Sequence, residues 1–251
     1  MEPTDNRGKA GPSTSSPERA HDAAASAAAD VADHPLGPHA PAILATEHWS
    51  LLGTRSQIWN EALNRATVFL TVLSASIVAL ALLADATGFG PHTTAVALVL
   101  LPVVLLLGIA TYVRLVQINT EDARLVLAMN RLRHAYLKIE PGLEPYFTTG
   151  HHDDERGLLV TYMDDRSRRW LRYLVYFLIN TPTIVATVVA ALAAAIAVLV
   201  LQAVEAPRAA MVAAGVVAFL ALWGGLMPLQ RQSMDPLRNT TPRFPTPPDT
   251  P

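Results

Sequence analysis

The sequence predicts an all-α polytopic membrane protein with four transmembrane helices in two antiparallel pairs and cytoplasmic helical extensions. Its composition is 51% hydrophobic and only 16% charged, which is more apolar than a water-soluble domain of this length. Four long uncharged segments each approach or exceed the ~20 residues that cross a bilayer. These predicted spans are residues 66–84, 94–113, 174–201 and 209–229.

The N-terminal residues 1–45 are rich in proline, alanine and serine and are predicted to be a disordered tail. They lack the basic start and apolar core of a secretory signal, so we expect the first span to remain as an anchor. Order is expected to begin near Thr46 with an amphipathic helix that runs directly into the first span. Its predicted apolar face consists of Trp49, Leu52, Trp59 and Leu63.

The first pair of spans belongs to a predicted unit of residues 46–140. The turn DATGFGPHT is too short and too glycine-rich to do more than reverse the chain. Beyond Tyr112 apolar residues recur at helical spacing, which predicts that the second helix projects past the membrane. They are Ile118, Leu125, Met129, Leu132 and Ile139. We expect them to pack on the Trp49 face of the first helix.

The second pair of spans belongs to a predicted unit of residues 141–229. A helix is expected to open at HHDDERG, where acidic residues suit the positive end of the helix dipole. The third span is longer than one crossing requires, so we expect tilt or a kink at Pro182. After the fourth span, residues 230–251 are proline-rich and are predicted to be a disordered tail.

Basic residues predict the orientation. The stretch 114–172 carries nine Arg and one Lys and the N-terminal segment to residue 65 carries five basic residues, whereas the two outer turns carry Arg208 alone. The positive-inside rule therefore places both termini and the middle loop in the cytoplasm. The preference for Arg over Lys and the long Ala runs are typical of GC-rich bacterial genomes, so the expected location is the bacterial plasma membrane.

The predicted spans contain no ionisable side chain, which argues against ion-coupled transporters, proton relays and voltage sensors. Polar residues in and beside the third span are candidates for lining a pore or for helix–helix contacts. They are Asn180, Thr181, Thr183 and Thr187. Helix–helix contacts are the favoured interpretation, because such residues commonly hydrogen-bond across membrane bundles.

Two clusters in the middle loop are candidate sites. His151, His152, Asp153, Asp154 and Glu155 include metal-ligand types, but adjacent residues do not readily converge on one ion, so a capped helix start is favoured and neither metal nor cofactor is predicted. The second cluster, next to Trp170, is suited to lipid headgroup contacts or to setting topology. It consists of Arg166, Arg168, Arg169 and Arg172.

Enzyme signatures are missing from the sequence. It contains neither the nucleophile elbow GxSxG, nor a phosphate-binding GxxxxGK, nor the zinc motif HExxH, so we expect a protein that is not an enzyme. A weaker alternative is a metal-dependent membrane enzyme that uses His151 and His152. The net charge of -2 gives no reason to expect nucleic acid as a partner.

The stretch EHWSLLGTRSQIWNEALNRATVFLTVLSASIVALAL resembles an uncharacterised family of actinobacterial four-helix integral membrane proteins. The organisation from Thr46 to Ile139, with an amphipathic lead-in, two spans, a tight turn and a long trailing helix, is similar to that of SLATT membrane domains. This resemblance covers about 94 residues and implies a pore-forming or membrane-perturbing effector that is controlled by a partner.

The leading functional hypothesis is a non-enzymatic membrane scaffold that self-associates or docks a cytoplasmic protein. Helices at 46–65 and 114–140 would form its stalk, because both carry apolar faces outside the spans. The expected partners are the lipid bilayer, further copies of the chain and a cytoplasmic protein. The alternative is a SLATT-type effector pore or channel built around Asn180.

Overall fold

The regular secondary structure of the described residues is helical. A computed structural model describes residues 36–88, 90–162, 180–233, 235 and 241–247. These residues contain no strand; their helices are α1 (Ala40–Thr87), α2 (Pro91–Ile139), a 3₁₀ helix (Pro141–Tyr146), α3 (Glu155–Tyr162), α4 (Thr181–Ala203) and α5 (Arg208–Gln232). Four of them, α1, α2, α4 and α5, are long and apolar enough to cross a membrane. The predicted all-α polytopic fold is thus confirmed.

Helices α1 and α2 are much longer than a membrane crossing. They contain 48 and 49 residues, or roughly 72 Å each at 1.5 Å per residue, against a hydrocarbon core of about 30 Å. We call the parts beyond the predicted spans, residues 40–65 and 114–139, the stalk. Helix α1 begins six residues before Thr46, because Pro41 occupies its first turn, where a missing N–H costs no helical hydrogen bond.

A tight turn connects α1 to α2 at the end opposite the stalk. Gly88 has a φ of 78°, a left-handed conformation that a side chain would strain. The Thr93 hydroxyl donates to the Gly88 carbonyl at 2.9 Å, and Gly90 precedes Pro91 at the start of α2. The turn thereby returns the chain antiparallel to α1.

The face of α1 that meets α2 differs from the predicted one. Trp49 is 75% exposed and Leu63 is 57% exposed, whereas Ile58 and Ala62 pack into the core. The contact face is thus displaced by one residue position, which is about 100° around the helix. Hydrogen-bonded ion pairs between the two helices orient α1 in this way, and they are described below. At the far end of the stalk His48 stacks on Tyr136 with 5.9 Å between ring centroids.

Helices α4 and α5 form the second antiparallel pair. The side chain of Asn180 caps α4 by accepting the Thr183 N–H at 2.9 Å. Pro182 therefore lies in the first turn of α4, where it does not interrupt the helix. Residues 174–179 of the predicted third span lie outside the described residues. At the other end Gly215 of α5 approaches Val198 of α4 closely.

The two pairs join in one apolar core. At its centre, Gly108 of α2 faces Phe69 of α1 and Val189 of α4, and a Cβ atom built on Gly108 would lie 2.7 Å from each of these side chains. The buried Tyr112 hydroxyl donates to the Leu226 carbonyl of α5 at 2.6 Å. Helix α2 therefore contacts each of the other three long helices.

Candidate functional site

The polar residues predicted for a pore or for helix contacts lie at the start of α4. Thr183 is buried and its hydroxyl donates to the Gln230 side chain of α5 at 3.3 Å. Thr187 accepts the Trp223 indole N–H of α5 at 3.2 Å. Asn180 acts as the helix cap described above, and Thr181 is the first residue of α4. The described contacts of Thr183 and Thr187 join α4 to α5; the effector pore stays a prediction.

The candidate lipid-contact arginines Arg166, Arg168, Arg169 and Arg172 lie outside the described residues. The His-Asp cluster of the middle loop is described in full. Its Asp154 side chain accepts the Gly157 N–H at 2.7 Å, which caps the start of α3 at Glu155. Among the described residues, no group of three or more histidine or carboxylate side chains is arranged to hold a metal ion.

A buried carboxylate in the stalk, Asp122 of α2, was missed by sequence reasoning. Arg55 of α1 donates to it through Nε at 2.7 Å and through Nη2 at 3.3 Å, and the Trp59 indole N–H donates at 3.1 Å. The Tyr162 hydroxyl of α3 donates to its other oxygen. The hydrogen bond to Asp122 raises the pKa of Arg55. Asp122 therefore connects α1, α2 and α3 at one point. A buried charge is tolerated when it is paired and hydrogen-bonded in this way.

A second ion-pair network lies closer to the membrane. Glu61 of α1 accepts two hydrogen bonds of 2.9 Å from the guanidinium of Arg114 on α2. Arg114 also donates to Glu121 at 2.8 Å, and Arg65 donates to Glu61 at 2.8 Å. Hydrogen bonds from Arg114 and then from Arg65 lower the pKa of Glu61 to about 2. The bidentate pair between Arg114 and Glu61 therefore stabilises the contact between α1 and α2 and also fixes their relative orientation.

The depressed pKa of Glu61 predicts an acid-sensitive stalk. The contribution of a carboxylate with a lowered pKa is present above its ordinary value of 4.5 and is lost as the pH falls toward about 2. As the pH falls from 4.5 to about 2, we expect the melting temperature of the wild-type protein to fall more steeply than that of the Glu61→Gln variant. Thermal unfolding in detergent at stepwise pH measures this; equal slopes would contradict the prediction. The effect should be modest, because these side chains are partly solvated.

The middle loop is clamped to the stalk by Asn130 of α2, which is fully buried. Its amide donates to the His152 carbonyl at 2.8 Å and to the Gly157 carbonyl at 3.2 Å, and its oxygen accepts from Arg133 at 2.8 Å. The backbone is so tightly packed that a Cβ atom on Gly157 would lie 2.1 Å from the His152 carbonyl oxygen. Only glycine fits at this position.

The C-terminal segment, residues 241–247, is bound to this loop, although residues 230–251 were predicted to be disordered. Asp153 accepts the backbone N–H groups of Arg243 at 3.0 Å and Phe244 at 2.7 Å, and also Arg131 of α2 at 2.6 Å. Asp154 accepts the N–H of Thr246 at 2.7 Å and its hydroxyl at 2.9 Å. The two carboxylates thus satisfy the backbone donors of Arg243, Phe244 and Thr246.

Histidines complete the binding surface of the C-terminal segment. The His134 ring of α2 stacks on Phe244 with 4.1 Å between centroids and an interplanar angle of 16°. Burial, together with the neighbouring His152, lowers the pKa of His134, so its neutral form is favoured. Burial also tends to raise the pKa of Asp154, but hydrogen bonds from Gly157 and Thr246 outweigh it and lower that pKa. The site thus presents a neutral aromatic ring beside the carboxylates of Asp153 and Asp154.

No family model, curated protein or solved structure matches this chain. The remaining surface of functional interest is the exposed apolar side of α1 in the stalk. We call Trp49, Leu52, Trp59 and Leu63 the apolar stripe; the four side chains are between 39% and 75% exposed. Solvent-exposed apolar stripes on helices are typical of docking surfaces.

Proposed function

We propose that the chain is a non-enzymatic multi-pass protein of the bacterial plasma membrane that self-associates through its stalk. The observation that carries the proposal is the apolar stripe, which remains exposed after the four long helices have packed. The predicted cytoplasmic location of the stalk follows from the ten basic residues of 114–172 and the single one in the outer turns.

Lipid does not account for the outer part of the stripe. Trp49 lies 17 residues before Ala66, where the predicted first span begins, which is about 25 Å along the helix axis. Interfacial tryptophans of membrane helices lie at the headgroup level, within a few ångström of the apolar core. An exposed indole at the distance of Trp49 is stabilised by a protein surface rather than by the bilayer.

A second copy of the chain fits the stripe. The surface along the stripe also includes Gly53, Ser56 and Asn60. The charged side chain beside it, Arg55, is paired with Asp122 of α2, and Glu47, Glu61 and Arg65 lie on other faces of α1. Copies inserted in one membrane share their orientation, so their stripes run parallel. Identical uncharged stripes can then meet around a two-fold axis without like-charge repulsion, and Gly53 and Ser56 allow close approach.

The test places charge in the stripe. We expect wild-type protein in mild detergent to be a dimer or larger oligomer and the variant Trp49→Glu/Leu63→Glu to dissociate at least tenfold more readily, because burying two carboxylates at the contact is unfavourable. Light scattering after size-exclusion chromatography over a concentration series measures this. It should be repeated in lipid nanodiscs by counting photobleaching steps.

Thr54→Glu is the matched control, since Thr54 is exposed on the side of α1 that carries Glu47 and Arg65. This variant should retain the wild-type oligomer. Wild-type protein that is monomeric at every concentration would refute self-association through the stalk. Equal dissociation of the control would show that added charge acts on α1 in general and not through the stripe.

A further inference from the structure

The C-terminal segment is held by main-chain hydrogen bonds together with the Phe244 ring and the Thr246 hydroxyl. The N–H groups of Arg243, Phe244 and Thr246 each donate to the carboxylate of Asp153 or Asp154. In the reverse direction, the Asp153 N–H donates to the Phe244 carbonyl at 3.2 Å. Such a pattern of main-chain bonds with a few side-chain contacts is how proteins recognise extended peptides.

The prolines of the segment match this pattern. Pro242, Pro245 and Pro247 have no N–H, and the bound N–H groups belong to the adjacent residues Arg243 and Phe244 and to Thr246. Every described donor of the segment that faces the two carboxylates is therefore on a residue between prolines. Proline also restricts the unbound chain to extended conformations, which reduces the entropy lost on binding.

The surface formed by Asp153 and His134 suits an extended peptide of this kind. The Asp153 side chain is fully buried, and two of its three donors outside the loop come from the segment, the third being Arg131. With the segment bound, its two N–H groups and Arg131 provide the hydrogen bonds that a buried carboxylate requires. The stacked His134 supplies the contact that selects an aromatic side chain at the position of Phe244.

We propose that Asp153, Asp154 and His134 form a peptide-recognition site, and that the C-terminal segment is its resident ligand and acts as a displaceable latch. The site takes an extended peptide with an aromatic residue two positions before a threonine and one proline between them. Only eight residues, 233–240, separate α5 from the segment. Such a short tether gives an effective concentration in the millimolar range, which keeps the site closed until the segment is displaced.

The experiment supplies the segment in trans to the full-length chain. The receiver is the Phe244→Ala variant, whose own segment cannot stack on His134, and the probe is a fluorescent peptide of residues 239–251. We expect this variant to bind the peptide at least tenfold more tightly than wild-type protein does, because the wild-type site is already filled. Fluorescence anisotropy in detergent measures the binding.

Three controls make the outcome decisive. A peptide with alanine at the phenylalanine position should bind at least tenfold more weakly. Within the Phe244→Ala receiver, Asp154→Asn should abolish binding of the unmodified peptide, whereas Glu140→Gln, which alters an exposed carboxylate at the end of α2, should leave it unchanged. A folded receiver that binds neither peptide at about 1 mM, or binds both equally, overturns the proposal.

Amide hydrogen exchange tests the latch without added peptide. In wild-type protein the N–H groups of Arg243, Phe244 and Thr246 should exchange at least tenfold more slowly than in the free peptide, and Phe244→Ala should remove this protection. Exchange of all three at the free-peptide rate in wild-type protein would also overturn the proposal.

Discussion

Replacing Asp122 by alanine is expected to lower the free energy of unfolding by about 3 kcal/mol or more, the largest effect of any charge removal in the stalk. The substitution deprives Arg55, Trp59 and Tyr162 of a shared acceptor in a buried position. A cation left beside a low-dielectric interior without its partner is costly, and a small cavity adds to the loss.

Tryptophan fluorescence measures the Asp122 prediction, since the Trp59 indole is one of the groups released. We expect Asp122→Ala to unfold at a lower denaturant concentration in detergent and to show altered emission before global unfolding. Asp85→Ala is the control, because Asp85 is exposed near the end of α1. If both variants unfold like the wild type, Asp122 does not hold the three helices together.

Gly108→Val is expected to destabilise the membrane bundle by about 1–3 kcal/mol or to prevent its assembly. Even the first side-chain atom would lie 2.7 Å from both Phe69 and Val189, and Phe69 is fully buried, so its ring has little room to move. The valine would therefore push α2 away from α1 and α4 at the point where all three meet.

Gly224→Val is the matched control for Gly108→Val. A Cβ atom on Gly224 meets nothing within 4 Å, although Gly224 also lies within a long apolar helix. Thermal unfolding in lipid nanodiscs should show a lower melting temperature for Gly108→Val and little change for Gly224→Val. Equal melting temperatures for Gly108→Val and wild-type protein would show that the three helices do not pack at Gly108 in the membrane.

The elements of the fold were largely predictable. Each predicted span that is fully described lies within one long helix, and the continuity of α1 and α2 past the spans followed from apolar residues at helical spacing. Hydropathy succeeds because a bilayer is a uniform apolar solvent, so the length and polarity of a segment suffice to identify a crossing. The end of α2 was also predictable, because Pro141 and Gly142 follow it directly.

The candidate sites were much less predictable. Asp122, Arg55 and Arg114 look like ordinary charged residues of a projecting helix, and periodicity gives no sign that they bond across 53 to 67 residues of sequence. The contacts of the C-terminal segment could not be predicted for a related reason. Proline-rich composition predicts disorder when a segment is considered alone, but here the bound donors lie between the prolines and face Asp153 and Asp154.

The sequence by itself determined that the chain is helical and crosses a membrane, because those properties depend on each segment and its solvent. Only the tertiary structure decided which face of α1 meets α2, which leaves Trp49 exposed and buries Ala62. It also decided where the C-terminal segment binds. Both outcomes depend on pairs of groups distant in sequence, whose hydrogen bonds form only at one relative rotation of the helices.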